Sequence, residues 1–67
     1  MKWVDGFQIS VRVDGGTATV SANREGLLSL AKFLTDLAGS EPGDHVHLDR
    51  NNSLEDDSAE LILERIE

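Results

Sequence analysis

"SANREGLLSLAKFLTDLAG", residues 21–39, decides the fold, because the spacing of apolar residues changes inside it. From Leu27 onward, Leu30, Ala31, Leu34, Leu37 and Ala38 recur at steps of three and four, which places them on one stripe of an α-helix, widened by Leu28 and Phe33. Asn23 is suited to the N-cap, where its side-chain oxygen accepts from a backbone N–H that has no partner within the helix. Glu25 complements the positive end of the helix dipole. Gly39 offers a left-handed C-terminal closure, and Pro42 prevents resumption of the helix. The pattern predicts a helix from about Arg24 to Ala38 with its apolar stripe in the core. Gly26, in the first turn, permits close approach to a strand.

On the N-terminal side the period is two. Phe7, Ile9, Val11 and Val13 alternate with Gln8, Ser10 and Arg12, and Ala18, Val20 and Ala22 alternate with Thr17, Thr19 and Ser21. Asp14-Gly15-Gly16 between them tolerates the positive φ of a tight turn, so the first 22 residues read as a β-hairpin. Beyond the helix, "HVHLD" (45–49) places Val46 and Leu48 on one face of a third strand and His45, His47 and Asp49 on the other. The stretch "SAELILERIE" (58–67) reads as a fourth strand, with Ala59, Leu61 and Leu63 facing one way and Ile62 and Ile66 the other.

The order ββαββ, without repeat or internal linker, specifies one small α+β domain over residues 1–67. The expected architecture has two layers: a four-stranded, mostly antiparallel sheet with one helix packed on one face. The second face leaves Ile62, Ile66 and Trp3 without evident cover, which favours a homodimer or another partner there. Trp3 is otherwise expected to close over a sheet edge.

With 67 residues and no cysteine, there is neither a disulfide nor a thiolate zinc site, so stability comes from apolar packing, from an oligomer, or from oxygen and imidazole ligands. The hydrophobic content of 39% suffices for a core. No apolar run reaches the ~20 residues of a membrane span and the N-terminus lacks an apolar signal region, so a cytoplasmic protein is expected. The net charge of −7 is unevenly placed. Residues 1–34 carry four basic against three acidic side chains, a balance of +1, whereas residues 35–67 carry two against ten, a balance of −8. The C-terminal half lacks the Lys and Arg clusters that phosphate backbones require, which argues against nucleic-acid binding and for a basic protein partner.

His45, His47 and Asp49, at i, i+2 and i+4, fall on one strand face and offer imidazole and carboxylate ligands for zinc or iron. Metal hydrolases that use His-x-His add ligands from distant segments, and this chain has no third histidine. Asp49, Asn51, Ser53, Glu55, Asp57 and Glu60 also match the ligand register of a calcium-binding EF-hand loop. The overlay breaks at Leu54, where the loop needs glycine, and at Asp56, where an apolar residue normally packs. No serine has a histidine and an acid at evident triad spacing, and no phosphate-binding glycine loop is present. An enzyme is therefore not expected, nor is a cofactor.

Glu25-Gly26-Leu27 at the start of the helix, the His-x-His-Leu-Asp strand, and Asn52-Ser53-Leu54-Glu55 followed by Ser58 and Glu60-Leu61-Ile62 resemble the bacterial immunity protein 32 family. The resemblance covers about residues 21–64. It implies a cytoplasmic protein that binds and neutralises a toxin domain encoded beside it. The chain departs from the family pattern at Asp56-Asp57, where an acid followed by glycine is usual, and at Arg50-Asn51, where an acid followed by an aromatic is usual. The implied partner is a cognate toxin with a basic surface. The residues expected to meet it are Asp49, Asn52, Glu55, Asp56 and Asp57, extended by His45 and His47. The alternatives from other classes are a small metal-binding domain built on His45, His47 and Asp49, and a homodimeric module using the face around Ile62 and Ile66.

Overall fold

A computed structural model describes residues 3–67; Met1 and Lys2, which open the stretch read as the hairpin, lie outside the described residues. The elements follow in the order β1 (Ile9–Asp14), β2 (Thr17–Ala22), α1 (Arg24–Ala38), β3 (His45–Leu48) and β4 (Leu61–Glu64), an α+β fold with the expected ββαββ order. β1 and β2 pair antiparallel from Ile9↔Ala22 to Asp14↔Thr17. Gly15 (φ 54°) and Gly16 (φ 86°) close this hairpin. Positive φ at both loop residues matches the twist of the flanking strands. β3 and β4 pair antiparallel from His45↔Glu64 to Leu48↔Leu61.

The strands form two two-stranded ladders instead of the single four-stranded sheet expected. The reason lies in residues 55–59, which run beside β1 but contain a turn. Glu55 N–H donates to Ile9 O (2.9 Å) and Ala59 N–H to Val11 O (2.8 Å). Four residues thus span what two span on β1. The Val11 N–H, which a regular ladder would give to a carbonyl, goes instead to Ser58 Oγ (3.1 Å). The fourth strand is correspondingly shorter than the ten residues read from the pattern.

Only Asn23 separates β2 from α1, and its side chain makes the join. Its Oδ1 accepts from Gly26 N–H (2.8 Å) and Gln8 N–H (3.0 Å), and its Nδ2 donates to Gly6 O (2.9 Å). Gly26 then packs directly on the hairpin. A Cβ there would stand 2.5 Å from Gln8 O, 2.9 Å from Ile9 Cγ1 and 3.0 Å from Ala22 Cβ. At the other end, Gly39 has φ −96° and does not form the left-handed closure expected of it. Its N–H donates to Thr35 and Asp36, while Leu37 O accepts from both the N–H (3.1 Å) and the hydroxyl (2.7 Å) of Ser40. With the terminal carbonyls met this way, no left-handed residue is required.

The helix presents Gly26, Ser29, Phe33 and Leu37 to the interior. Phe33 packs with Ile9, Val11, Leu48 and Leu54, and Leu30, Val46, Ala59 and Leu61 flank this core. The apolar stripe is therefore not simply core: Leu27 and Leu34 are 55% and 52% exposed, and Ala31 and Ala38 are also exposed. Gly26 lies against the hairpin because it has no side chain to hold the helix off, and this approach turns the bulkier stripe partly outward. Ser29 is fully buried, with its hydroxyl accepting from Val4 N–H (2.8 Å) and donating to Glu25 O (2.9 Å). Trp3 joins the helix side of the molecule, stacked on Phe7 at 4.3 Å and edge-on to Phe33 at 4.4 Å, and not the open sheet face with Ile62 and Ile66. No helix among the described residues is long and apolar enough to cross a membrane.

Gly26→Ala, which by helix propensity alone would stabilise, should cost about 2–3 kcal/mol, because the new methyl meets backbone that cannot give way. Urea denaturation reads the difference; an unchanged midpoint would contradict the tight helix–hairpin join.

Candidate functional site

The segment between β3 and β4 is built from local hydrogen bonds. Asp49 O accepts from the N–H groups of Asn52 (3.3 Å), Ser53 (3.0 Å) and Leu54 (2.8 Å). Its Oδ1 accepts from Asn51 N–H (2.9 Å) and Asn52 N–H (3.1 Å). Asn52 answers across the loop: Oδ1 accepts from Asp49 N–H (3.1 Å) and from the Ser53 hydroxyl, and Nδ2 donates to His47 O (3.1 Å). Asp and Asn suit such positions because their short side chains reach backbone groups two or three residues away. Leu54 is buried in the core and anchors the loop from within.

From Leu54 the chain turns along β1 and projects Glu55, Asp56 and Asp57, all exposed. Ser58 N–H donates to Glu55 O (3.2 Å) and closes this turn. Asp57 has φ 70°, the only non-glycine among the described residues with positive φ. This left-handed conformation is the one glycine adopts without strain, and the Cβ of aspartate costs on the order of 1 kcal/mol there. None of the three carboxylates lies within ion-pair distance of a basic group among the described residues. Their turn is fastened on both sides, by Glu55 N–H to Ile9 O and by Ser58 and Ala59 to Val11. The arrangement is a fixed backbone that displays three consecutive negative charges to solvent.

His45 and His47 share the outward face of β3 and are both exposed. His47 Nε2 lies 2.9 Å from Glu60 Oε2, on an exposed pair. The residues singled out from the sequence therefore separate into two groups. Asp49 Oδ1 and the Asn52 amide bond within the loop, whereas Glu55, Asp56, Asp57 and His45 are exposed and His47, also exposed, is paired with Glu60. The metal-binding alternative meets a geometric obstacle. His45, His47 and Asp49 are not gathered into a ligand set, and no group of three His, Asp or Glu side chains suited to an ion occurs among the described residues. The EF-hand register fails for the same reason: Asp49 holds backbone N–H groups and Glu60 meets His47. Sequence patterning singled out neither Ser58 nor Ser29 as backbone ties, since an isolated serine has no periodic signature.

Fold and site define a small α+β domain that carries an acidic turn, hydrogen-bonded along β1, in the connection between β3 and β4. The family model for immunity protein 32 (Imm32) matches residues 17–66, from the first residue of β2 to two residues past β4, and the chain belongs to that family. No curated protein and no solved structure matches the chain.

Asp57→Gly relieves the left-handed strain and should leave stability unchanged or raise it by up to about 1 kcal/mol, whereas Asp57→Val should lose about 1–2 kcal/mol. Thermal unfolding of the two variants checks the sign; a strongly destabilised glycine variant would mean that the aspartate side chain itself holds the turn.

Proposed function

We propose that this protein is an immunity protein that binds a cognate toxin domain in the cytoplasm and neutralises it by occupancy, without catalysing a reaction. Glu55, Asp56 and Asp57 form the centre of the docking surface, with His45 and His47 at its margin. Asp49 and Asn52 serve it by shaping the loop. Membership of the immunity protein family supports a toxin partner, and the turn supports the location on the molecule.

The observation that carries this location is Asp57. Asp57 holds a carboxylate at positive φ, where glycine would be unstrained and is usual in the family pattern, and this departure adds a third exposed negative charge to the turn. The role that three unpaired carboxylates can fill is electrostatic. Fields from clustered charges raise the encounter rate with an oppositely charged surface, and many toxins that attack nucleic acid carry basic clefts. Because the turn is fixed before binding, little ordering entropy is lost on docking. Most of the affinity would come from a few apolar or aromatic contacts beside the charges.

Converting Glu55, Asp56 and Asp57 together to Gln, Asn and Asn should slow association with the toxin by about tenfold or more at low salt and flatten its salt dependence. Stopped-flow or surface-based kinetics at two ionic strengths make the comparison. An association rate equal to that of the unmodified protein at low salt would remove this turn from the mechanism.

A further inference from the structure

The two-residue loop of the first hairpin makes Asp14 and Thr17 a hydrogen-bonded pair, so Arg12↔Thr19 and Ser10↔Ser21 are also hydrogen-bonded pairs. Ile9 and Val11 confirm the phase, since their backbone groups bond away from β2, to Glu55, Ser58 and Ala59. It follows that Ala18, Val20 and Ala22 point their N–H and C=O groups outward, and none of these has a partner among the described residues. β2 reads Thr-Ala-Thr-Val-Ser-Ala, six residues without a charge, a proline or a bulge. Edge strands of monomers are ordinarily guarded by such features. This one is not.

An apolar groove opens beside the same strand, lined by Val20, Leu27, Leu30, Leu34, Leu61 and Leu63. Val20 belongs to both features: its side chain lines the groove and its backbone faces the free edge. Val20 is 41% exposed and Val13, on the same hairpin face, 62%. Only six hydrophobic side chains are buried among the described residues, a small core for a domain of this length.

We infer that this surface is closed by a second copy of the chain, with β2 pairing antiparallel to its symmetry mate across a two-fold axis. The edge is self-complementary in the way an isologous interface requires, because a neutral Thr/Ala/Val strand meets an identical one. Charge favours this occupant as well. β2 carries no charged residue, and α1 carries Arg24 and Lys32 against Glu25 and Asp36, so the two elements together are neutral. Pairing through β2 therefore sets neutral elements of the two copies against each other. Antiparallel pairing about the two-fold puts both helices on one face of a four-stranded β1-β2-β2-β1 sheet, so Leu27 and Leu34 lie beside the new interface. The exposed apolar side chains supply on the order of 400 Å², about half of what each side of a standard interface buries, and the strand pairing and its rim supply the remainder. This inference is independent of the proposed toxin binding, since the acidic turn lies in the other half of the chain.

Sedimentation equilibrium of the purified protein tests it. The expected species has twice the 7.3 kDa chain mass, with a dissociation constant of order 1–10 μM. The dimer should tighten as salt screens the like charge of the two copies, a dependence opposite in sign to that of toxin binding. Val20→Pro removes an outward N–H that β1 does not use, and Leu34→Lys charges the groove without touching a ladder bond; each should give monomer, while Ile62→Lys on the other ladder should leave the dimer. If the proline unfolds the hairpin, as circular dichroism would reveal, the lysine variant decides. A protein that stays monomeric at about 1 mM, or a dimer that Ile62→Lys breaks and Leu34→Lys does not, overturns the inference.

Discussion

The side chain of Asn23 holds the end of β2, the start of β1, the Gly6 carbonyl and the first turn of the helix at one point. No linker separates strand from helix, so the direction in which the helix leaves the hairpin is set by these hydrogen bonds and by the absence of a side chain at Gly26. Much else follows from that direction. The helix packs over the base of the first hairpin through Gly26 and reaches the second ladder through Leu37, which lies beside His45 and Val46. Phe33 is centred on Ile9, Val11, Leu48 and Leu54. The tip of the first hairpin, with Val13 and Val20, is left uncovered. The direction of the helix thus also leaves the groove beside β2 open.

Side-chain oxygens substitute for backbone acceptors at three places in the fold. Ser29 receives the Val4 N–H, Ser58 the Val11 N–H, and Asp49 two N–H groups of its own loop. Each of these places a chain segment that has no regular ladder to hold it. Buried donors without acceptors would each cost about 1–3 kcal/mol, so the serines contribute by preventing a loss more than by adding an attraction. In the 49–59 segment the result is an ordered frame from which Glu55, Asp56 and Asp57 project. A mobile acidic tail would present the same charge with a larger loss of entropy on binding.

The helix was legible to the residue, Arg24–Ala38, because a cap, a periodic apolar run and a proline all point the same way. The hairpin was legible because Gly15-Gly16 and strict alternation agree. The α+β class and the ββαββ order followed from these. Burial on the helix was not legible: a stripe rich in leucine looks like core, and only the contact at Gly26 reveals that the helix is rotated toward Ser29 and Phe33. The fourth strand was overestimated because Ala59, Leu61 and Leu63 alternate as a strand does, whereas ladder pairing begins only at Leu61. In the acidic segment the composition was visible, but the division of labour was not. Asp49 and Asn52 look no different in sequence from Asp56 and Asp57, yet the first pair folds the loop and the second faces water.

The turn at 55–57 is the proposed seat of a toxin partner. Amide hydrogen exchange of the protein, alone and bound to a toxin domain that it neutralises, addresses this directly. Slowed exchange concentrated in residues 49–60, with the acidic turn most affected, is the result the account predicts. Protection confined to other segments, with exchange across that turn unchanged on binding, would contradict it.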